Sequence, residues 1–235
     1  MTDIRTATRT ERPDAPRPRV VSVLSQKGGT GKTTLSCALA ALATRAGMAT
    51  AILALDPQAS AAKWHDLRRA NGEEDPPVFA TPSSRMRALV DALGRDGAEL
   101  IVTDTAPHSG ADAVTVARLR DDILIPLQPS FPDLAAITRT IDIAEVARTP
   151  ATIVLNLALV NHPSTADARS VIATAGAPAA PVVLHRRVAH VNSFNLGRCA
   201  AEYEPAGKAA GELRALFGWL QGAGIIPAAR KGQAA

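Results

Sequence analysis

The residues with the clearest chemical potential lie in one short segment rich in glycine, lysine and threonine: Lys27, Gly28, Gly29, Thr30, Gly31, Lys32, Thr33 and Thr34. Glycines allow successive backbone N–H groups to point into one concavity, and lysine adds a full positive charge, so this composition suits phosphate binding. Residues 31–33 match the end of the pattern G-x-x-x-x-G-K-[ST], whereas its first glycine would fall on Gln26. The segment therefore predicts a phosphate-binding loop of unusual form.

Such a loop must be positioned by a strand before it and a helix after it. Residues 20–24 are apolar and mostly β-branched, which predicts a buried strand, and residues 35–46 are rich in Ala and Leu, which predicts a helix. The N-terminus of that helix adds partial positive charge at the loop. A glycine-rich hairpin turn with exposed lysines is the alternative, and the strand–loop–helix order favours the phosphate loop over it.

Apolar runs alternate with helical patterns along the rest of the chain. Further strands are predicted at residues 49–55, 78–80, 99–103, 123–127, 152–157 and 181–184. Helices are predicted at residues 59–70, 83–95, 111–119, 133–147, 166–175 and 206–220, with irregular structure over 185–204. This alternation predicts an α/β fold, a mostly parallel twisted sheet with helices on both faces, as in P-loop NTPases.

The composition predicts one globular domain over residues 19–222, with a disordered tail at 1–18 and a C-terminal tail at 223–235. We find no run long enough for a membrane span and no apolar core of a signal peptide, so we expect a cytoplasmic protein without stable membrane insertion. The net charge of +4 mildly favours an anionic partner, either nucleic acid or a membrane surface, and a basic surface that serves only solubility is the alternative. Aromatic residues make up only 3% of the chain, so duplex phosphates are a better match than unpaired bases.

Two aspartates follow predicted strands, Asp56 after residues 49–55 and Asp104 after residues 99–103. Ligands of parallel sheets bind beyond the carboxyl ends of the strands, so both carboxylates are expected beside the phosphate loop. There Lys32 would contact the β- and γ-phosphates, Thr33 would bind Mg²⁺, and Asp104 would hold the metal through water. Asp56 would orient the attacking water. The alternative for each aspartate is a turn or helix-capping role.

Residues 27–33 resemble the deviant Walker A box, K-G-G-x-G-K-[ST], of the ParA/MinD family of ATPases. The resemblance covers about residues 19–220. Asp56-Pro57-Gln58 is similar to the D-P-Q switch of the family, and Asp104-Thr105-Ala106-Pro107 is similar to its Walker B motif, with Ala106 in place of the first proline. Many relatives carry an aspartate where this chain has Ala54, a departure that bears on the hydrolysis rate.

The resemblance implies an ATPase that uses ATP and Mg²⁺, with Lys27, Lys32 and Asp56 as catalytic residues. It implies that Asn156 contacts adenine. It also implies that Lys27 reaches the phosphates of a second copy in an ATP-bound sandwich homodimer, where a compact lysine charge stabilises the transition state.

Among the branches of the family, the chain looks most similar to the small plasmid-partition ParA proteins. That resemblance implies a DNA segregation ATPase that binds nucleoid DNA without sequence preference, hydrolyses ATP slowly alone, and leaves DNA when a DNA-binding adaptor stimulates hydrolysis. We expect Arg186, Arg187 and Arg198 to contact DNA phosphates, with a solvated loop as the alternative. Other interpretations are a MinD-like ATPase at a membrane surface, a ParA-like ATPase that positions a non-DNA cargo, and an amidation or carboxylation enzyme.

Overall fold

The computed structural model describes residues 17–106, 111–174 and 177–228. The strands within these ranges are β1 (Arg19–Val23), β2 (Thr50–Ala54), β3 (Val78–Ala80), β4 (Leu100–Asp104), β5 (Asp122–Leu127) and β6 (Ala151–Leu155). They form one sheet in the order β3-β2-β4-β1-β5-β6, and every neighbouring pair is parallel. The predicted α/β fold of the P-loop NTPase type is confirmed.

The helices of the described ranges are α1 (Lys32–Arg45), α2 (Ser60–Ala70), α3 (Met86–Arg95), α4 (Ala111–Arg118), α5 (Phe131–Ala147), α6 (Ser164–Ile172), α7 (Val188–Phe194), α8 (Ala200–Tyr203) and α9 (Lys208–Gly222). A short 3-10 turn at Ser83–Arg85 precedes α3. The expectation of irregular structure over 185–204 is wrong, because α7 and α8 lie there. Both helices are short, so their sequences hold too few turns for a clear apolar period.

The helices cover both faces of the sheet. Val21 and Val23 of β1 pack with α1, α2, α8 and α9 in one apolar cluster, whereas Val20 packs with α3 and α4 on the other face. Helix α1 is apolar on nearly every side because it lies between the sheet and α9, with Leu39 and Ala43 fully buried. Such all-round burial holds the start of α1, and the loop before it, against the central strand.

The predicted strand at 181–184 does not form a regular strand. The chain runs beside β6 and pairs with it through a single bridge between Ala179 and Ile153, and the next bridge joins His185 to Ala158. Pro181 lies between these contacts and has no N–H group with which to continue a ladder. The segment still reaches the end of β6, where the Leu184 N–H donates to the Leu155 carbonyl oxygen at 2.9 Å.

Packing extends slightly past both predicted domain limits. Pro18 is buried and lies so close to Gly94 that a Cβ there would be 2.8 Å from its ring. Ile225 and Ile226 are buried in the same cluster as α1 and α9. Pro107, in the segment similar to Walker B, lies outside the described residues. Among the described residues, the helices are too short or too polar to span a bilayer.

Candidate nucleotide-binding site

The glycine-rich loop connects β1 to α1 and requires glycine at two of its positions. Gly29 has φ 77° and Gly31 has φ 85°, a left-handed backbone that side chains other than glycine rarely adopt. A Cβ on Gly31 would also lie 2.5 Å from Nδ2 of Asn156. The Gly31 backbone therefore packs against the Asn156 side chain with no room for a Cβ, and α1 begins at the next residue, Lys32.

Lys32 is folded back over the loop. Its ammonium donates to the carbonyl oxygen of Lys27 at 3.0 Å, and the residue is only 7% exposed. Burial lowers the pKa of Lys32, and the nearby carboxylates Asp104 and Asp56 oppose that shift. The structure thus brings Lys32 together with both aspartates at the carboxyl edge of the sheet, as the motif spacing predicts.

Asp104 ends β4 and is completely buried. Burial raises the pKa of Asp104 to about 6; the nearby Thr33 hydroxyl and Lys32 lower it, whereas Asp56 adds to the rise. The Thr33 hydroxyl lies beside the carboxylate, but neither carboxylate oxygen makes a hydrogen bond of normal geometry to a described residue. A buried carboxylate without a partner is costly unless a cation compensates it. Asp104 beside the Thr33 hydroxyl is a hard-oxygen set that fits Mg²⁺, the metal predicted for this position.

Asp56 follows β2 and belongs to a turn that orients its side chain. The Gln58 N–H donates to Oδ1 of Asp56 at 2.8 Å, and Ala59 adopts a left-handed φ of 55° before α2 begins. Asp56 is half-buried, and its charge acts on both Lys32 and Asp104. Ala54 is the register partner of Asp104 on the adjacent strand, so the departure from the family pattern falls directly beside the candidate metal ligand.

Lys27, the second lysine of the loop, pairs with a residue that sequence reasoning missed. Its ammonium is 2.5 Å from Oδ2 of Asp133 in the first turn of α5, and Asp133 is only 3% exposed. The same oxygen accepts a hydrogen bond from the Ser130 hydroxyl. Asp133 lies 106 residues along the chain from Lys27. The only sequence signal was an aspartate at a predicted helix start, which ordinarily indicates a cap.

Asn156 has a contact that the sequence did not suggest. Its side-chain amide donates to the Thr30 carbonyl oxygen at 2.8 Å, which ties the end of β6 to the loop. Asn156 also lines a cavity of about 290 Å³ next to Gly31 and the first turn of α1. The other walls of this cavity come from Leu157 and from the segment before and within α7, including Arg186 and Phe194. The site predicted for adenine thus adjoins the loop, with Asn156 between the two.

The three arginines expected to contact DNA occupy different surroundings. Arg186 and Arg187 both line the cavity beside the loop. Arg187 donates to Oε1 of Glu212 at 2.6 Å, and Arg198 lies 3.3 Å from Glu73 with 40% of its side chain exposed. The predicted basic patch is therefore divided between the nucleotide cavity and a separate ion pair, and DNA contact by these residues stays a prediction.

Comparisons with known proteins agree with this geometry. Residues 21–195 match the model of the CobQ/CobB/MinD/ParA nucleotide binding domain. The chain is 35% identical over 130 residues to Maintenance of carboxysome distribution protein A of Gloeobacter kilaueensis, an alignment that covers 55% of this chain and 58% of that protein. It is 28% identical over 201 residues to the protein of the same name from Halothiobacillus neapolitanus, which covers 82% of this chain and 91% of that protein.

Among solved structures, the fold is similar to that of an ATP complex of a Cyanothece McdA variant. The TM-score is 0.71 at 15% identity, with 92% of this chain and 99% of that chain covered. The matched residues contain most of the described sheet, the glycine-rich loop, and both Asp56 and Asp104. The predicted relationship is confirmed: this chain belongs to the CobQ/CobB/MinD/ParA family of nucleotide-binding domains.

Proposed function

We propose that this protein is a positioning ATPase that binds ATP with Mg²⁺, dimerises in the ATP state and associates with nonspecific duplex DNA. An adaptor that stimulates hydrolysis then releases it. The observation that carries the proposal is the convergence of Lys32, Thr33, Asp104 and Asp56 at one sheet edge, with Lys27 on the rim. These groups come from three strand ends, and phosphoryl transfer depends mainly on such positioning and on charge stabilisation.

Each residue has a role in this chemistry. The loop N–H groups and Lys32 bind the phosphates, and the Thr33 hydroxyl and the Asp104 carboxylate are the residues that would hold Mg²⁺. The metal, when bound, neutralises developing charge on the phosphate oxygens. Asp56 accepts a hydrogen bond from the attacking water, and the Gln58 N–H keeps its carboxylate in place.

Lys27 links nucleotide state to assembly. In the isolated chain it pairs with Asp133, so it is not aimed at its own phosphate cradle. The ammonium must leave Asp133 to reach the phosphates of a second copy, and dimerisation therefore exchanges one ion pair for another. Hydrolysis removes the γ-phosphate that attracts the Lys27 ammonium across the dimer. Lys27 then returns to its ion pair with Asp133.

The cargo is the point at which two candidate functions diverge. The two relatives reported above are named for the distribution of carboxysomes, which favours a ParA-like ATPase that positions a non-DNA cargo. DNA partition is the second candidate, favoured by the net charge of +4 and by the resemblance of the loop. In both schemes the protein works in the cytoplasm on nucleoid DNA, and Arg198 is the exposed arginine we propose as a DNA contact outside the cavity.

The dimer model is tested with Lys27→Ala and, as a matched control, Lys63→Ala on the exposed face of α2. We expect wild type and the control to dimerise with Mg²⁺ and ATP in light scattering. Lys27→Ala should stay monomeric and retain ATP affinity within about threefold, because Lys32 still binds the phosphates. ATP-induced dimers of Lys27→Ala would contradict the role of Lys27 across subunits.

DNA association is tested by retention on DNA-coated beads and on anionic vesicles, each with ATP or ADP. The proposal predicts ATP-dependent retention on DNA that falls steeply as salt is raised, because phosphate contacts release counterions. Retention on vesicles and not on DNA would replace the proposal with the MinD-like alternative.

A further inference from the structure

The cavity beside the phosphate loop is lined mostly by residues that belong to none of the sequence motifs. It adjoins Gly31 and Thr34 on one side and the segment leading into α7 on the other. A nucleotide whose phosphates lie on the loop therefore extends its base and ribose into this cavity. Its volume of about 290 Å³ is near the lower end of the range for small-molecule pockets. A role for this cavity in base binding rests on the proposed function, namely that the loop binds ATP.

Two consecutive arginines line this cavity, and one of them, Arg187, has an ion-pair partner. Arg187 donates two hydrogen bonds to Oε1 of Glu212, at 3.1 Å from Nε and 2.6 Å from Nη2. The His185 N–H and Nδ1 contact the same carboxylate at 3.0 and 2.8 Å. Glu212 therefore neutralises Arg187 and holds it in place in the cavity wall.

Arg186 differs from Arg187 in that its side chain is exposed and unpaired among the described residues. Its backbone N–H donates to the Ala158 carbonyl oxygen at 2.8 Å, so the root of the side chain is held at the cavity rim. The side chain itself is exposed and has no hydrogen-bond or ion-pair partner among the described residues. The Arg186 guanidinium is therefore a planar, permanently charged group whose backbone is held in place and whose N–H groups are available to a ligand.

The other titratable group of the cavity does not compete for this role. Burial lowers the pKa of His190, against an opposing effect of Glu212, so the imidazole is neutral at physiological pH. The remaining wall includes Leu157 and Phe194, which offer apolar contact to a ring. Among the described residues that line the cavity, Arg186 is thus the cation without a counter-charge.

We propose that Arg186 caps the bound nucleotide by stacking its guanidinium plane on the purine base. Guanidinium groups stack on aromatic rings and on nucleobases because they are planar and weakly hydrated. The side chain acts as a nucleotide-positioning residue and as part of the base-recognition surface. Under this proposal, Arg186 contacts the nucleotide base and not a DNA phosphate. The proposal also gives the two adjacent arginines separate tasks, one in the wall and one on the ligand.

The test compares ATP with inorganic tripolyphosphate, each with Mg²⁺, by titration calorimetry on the full chain. For Arg186→Ala we expect about a tenfold loss of ATP affinity and no change for tripolyphosphate, which has no base. Arg186→Lys should lose nearly as much ATP affinity, since lysine keeps the charge but not the plane. Arg214→Ala is the matched control, because Arg214 is exposed on α9 and lies outside the cavity. Circular dichroism checks that each variant folds.

The possible outcomes separate this inference from the proposed function. Equal losses for ATP and tripolyphosphate would make Arg186 a phosphate contact, and full recovery by Arg186→Lys would make it a simple charge; either result overturns stacking. Unchanged ATP affinity with weaker retention on DNA would overturn it in favour of the DNA role. If wild type itself does not bind ATP, the proposed function fails, which is a different result from a variant that behaves like wild type.

Discussion

The nucleotide cleft has two sides that are built in different ways. On the phosphate side, the backbone of a single loop, one buried lysine and two strand-end aspartates provide the chemistry. On the base side, the end of β6, the segment before α7, and α7 itself line the cavity. One of the two arginines there, Arg187, is held by Glu212 of α9. Short sequence motifs provide the phosphate side, whereas segments that are far apart in the sequence come together to form the base side.

This difference in construction determines how much the sequence of each side of the cleft can vary. The phosphate side requires glycine where φ is positive and a lysine at the helix start, so few sequences satisfy it. The base side requires only a cavity of suitable shape with one or two directed groups, and many side chains can supply it. We therefore expect mutations on the phosphate side to affect every phosphate ligand, and mutations on the base side to affect only ligands that carry a base.

The largest effect is expected for Lys32→Ala. Loss of the buried ammonium removes a charge-assisted contact to phosphate, and we expect ATP affinity and tripolyphosphate affinity both to fall by about 100-fold, with hydrolysis lost. Titration calorimetry measures both ligands, and Lys208→Ala, exposed at the start of α9, is the control. A loss confined to ATP would remove the distinction between the two sides of the cleft.

Asp104→Asn tests the electrostatics of the phosphate side without any ligand. The pKa of Asp104 is raised from 3.8 to about 6, so between these values the folded state keeps a proton that the unfolded state releases. The contribution of Asp104 to the free energy of unfolding should therefore decrease by about 3 kcal/mol as pH rises from 4 to above 6. At pH 8, without nucleotide or Mg²⁺, the variant should be more stable than wild type by up to that amount.

Chemical denaturation over this pH range measures the Asp104 effect. The contribution of Asp104 is the difference between the wild-type and Asp104→Asn profiles, and parallel profiles would show that the carboxylate is not destabilised by burial. Added Mg²⁺ and ATP should stabilise wild type much more than the variant, because the variant lacks the charge that the metal compensates.

Glu212→Gln is expected to have a smaller effect, restricted to the base side. Burial raises the pKa of Glu212, but hydrogen bonds from Arg187 and His185 outweigh it and leave the pKa lowered. The charged form thus stabilises the wall, and its loss should cost about 1–2 kcal/mol of folding free energy. We expect ATP affinity to fall by about threefold, with tripolyphosphate unaffected.

Thermal melting and the same two titrations provide the measurements for Glu212→Gln, with Glu145→Gln on the exposed face of α5 as the control. A variant that loses tripolyphosphate affinity as well would show that α9 supports the whole cleft and not the base side alone.

The strands were largely predictable, and the base side of the cleft was not. Five of the predicted strands after the loop appear within two residues of their expected limits, because buried parallel strands are continuous apolar runs with turn residues after them. The segment 181–184 has the same composition but follows β6 with only isolated bridges. Helix α7 was missed because its exposed Val188 and Val191 do not face the core, so no apolar period marks it.

Contacts between distant residues were also beyond sequence reasoning. Asp133 and Glu212 are ordinary surface-type residues in the sequence, and only folding brings them to Lys27 and Arg187. The same holds for Asn156, whose amide reaches the loop carbonyl of Thr30. Ion pairs and side-chain hydrogen bonds depend on distances in space, for which the separation of two residues along the chain gives no measure.

The sequence by itself determined the fold class, the phosphate loop and the strand-end aspartates. These features depend on backbone requirements and apolar patterns of residues that are close together in the sequence. The tertiary structure alone decided which partners those groups have. It placed Asp133 on Lys27, left Asp104 buried without a partner among the described residues, and divided two adjacent arginines between Glu212 and an open cavity. Burial and partner geometry set the charge and freedom of each group, and both arise only when segments far apart in the chain pack together.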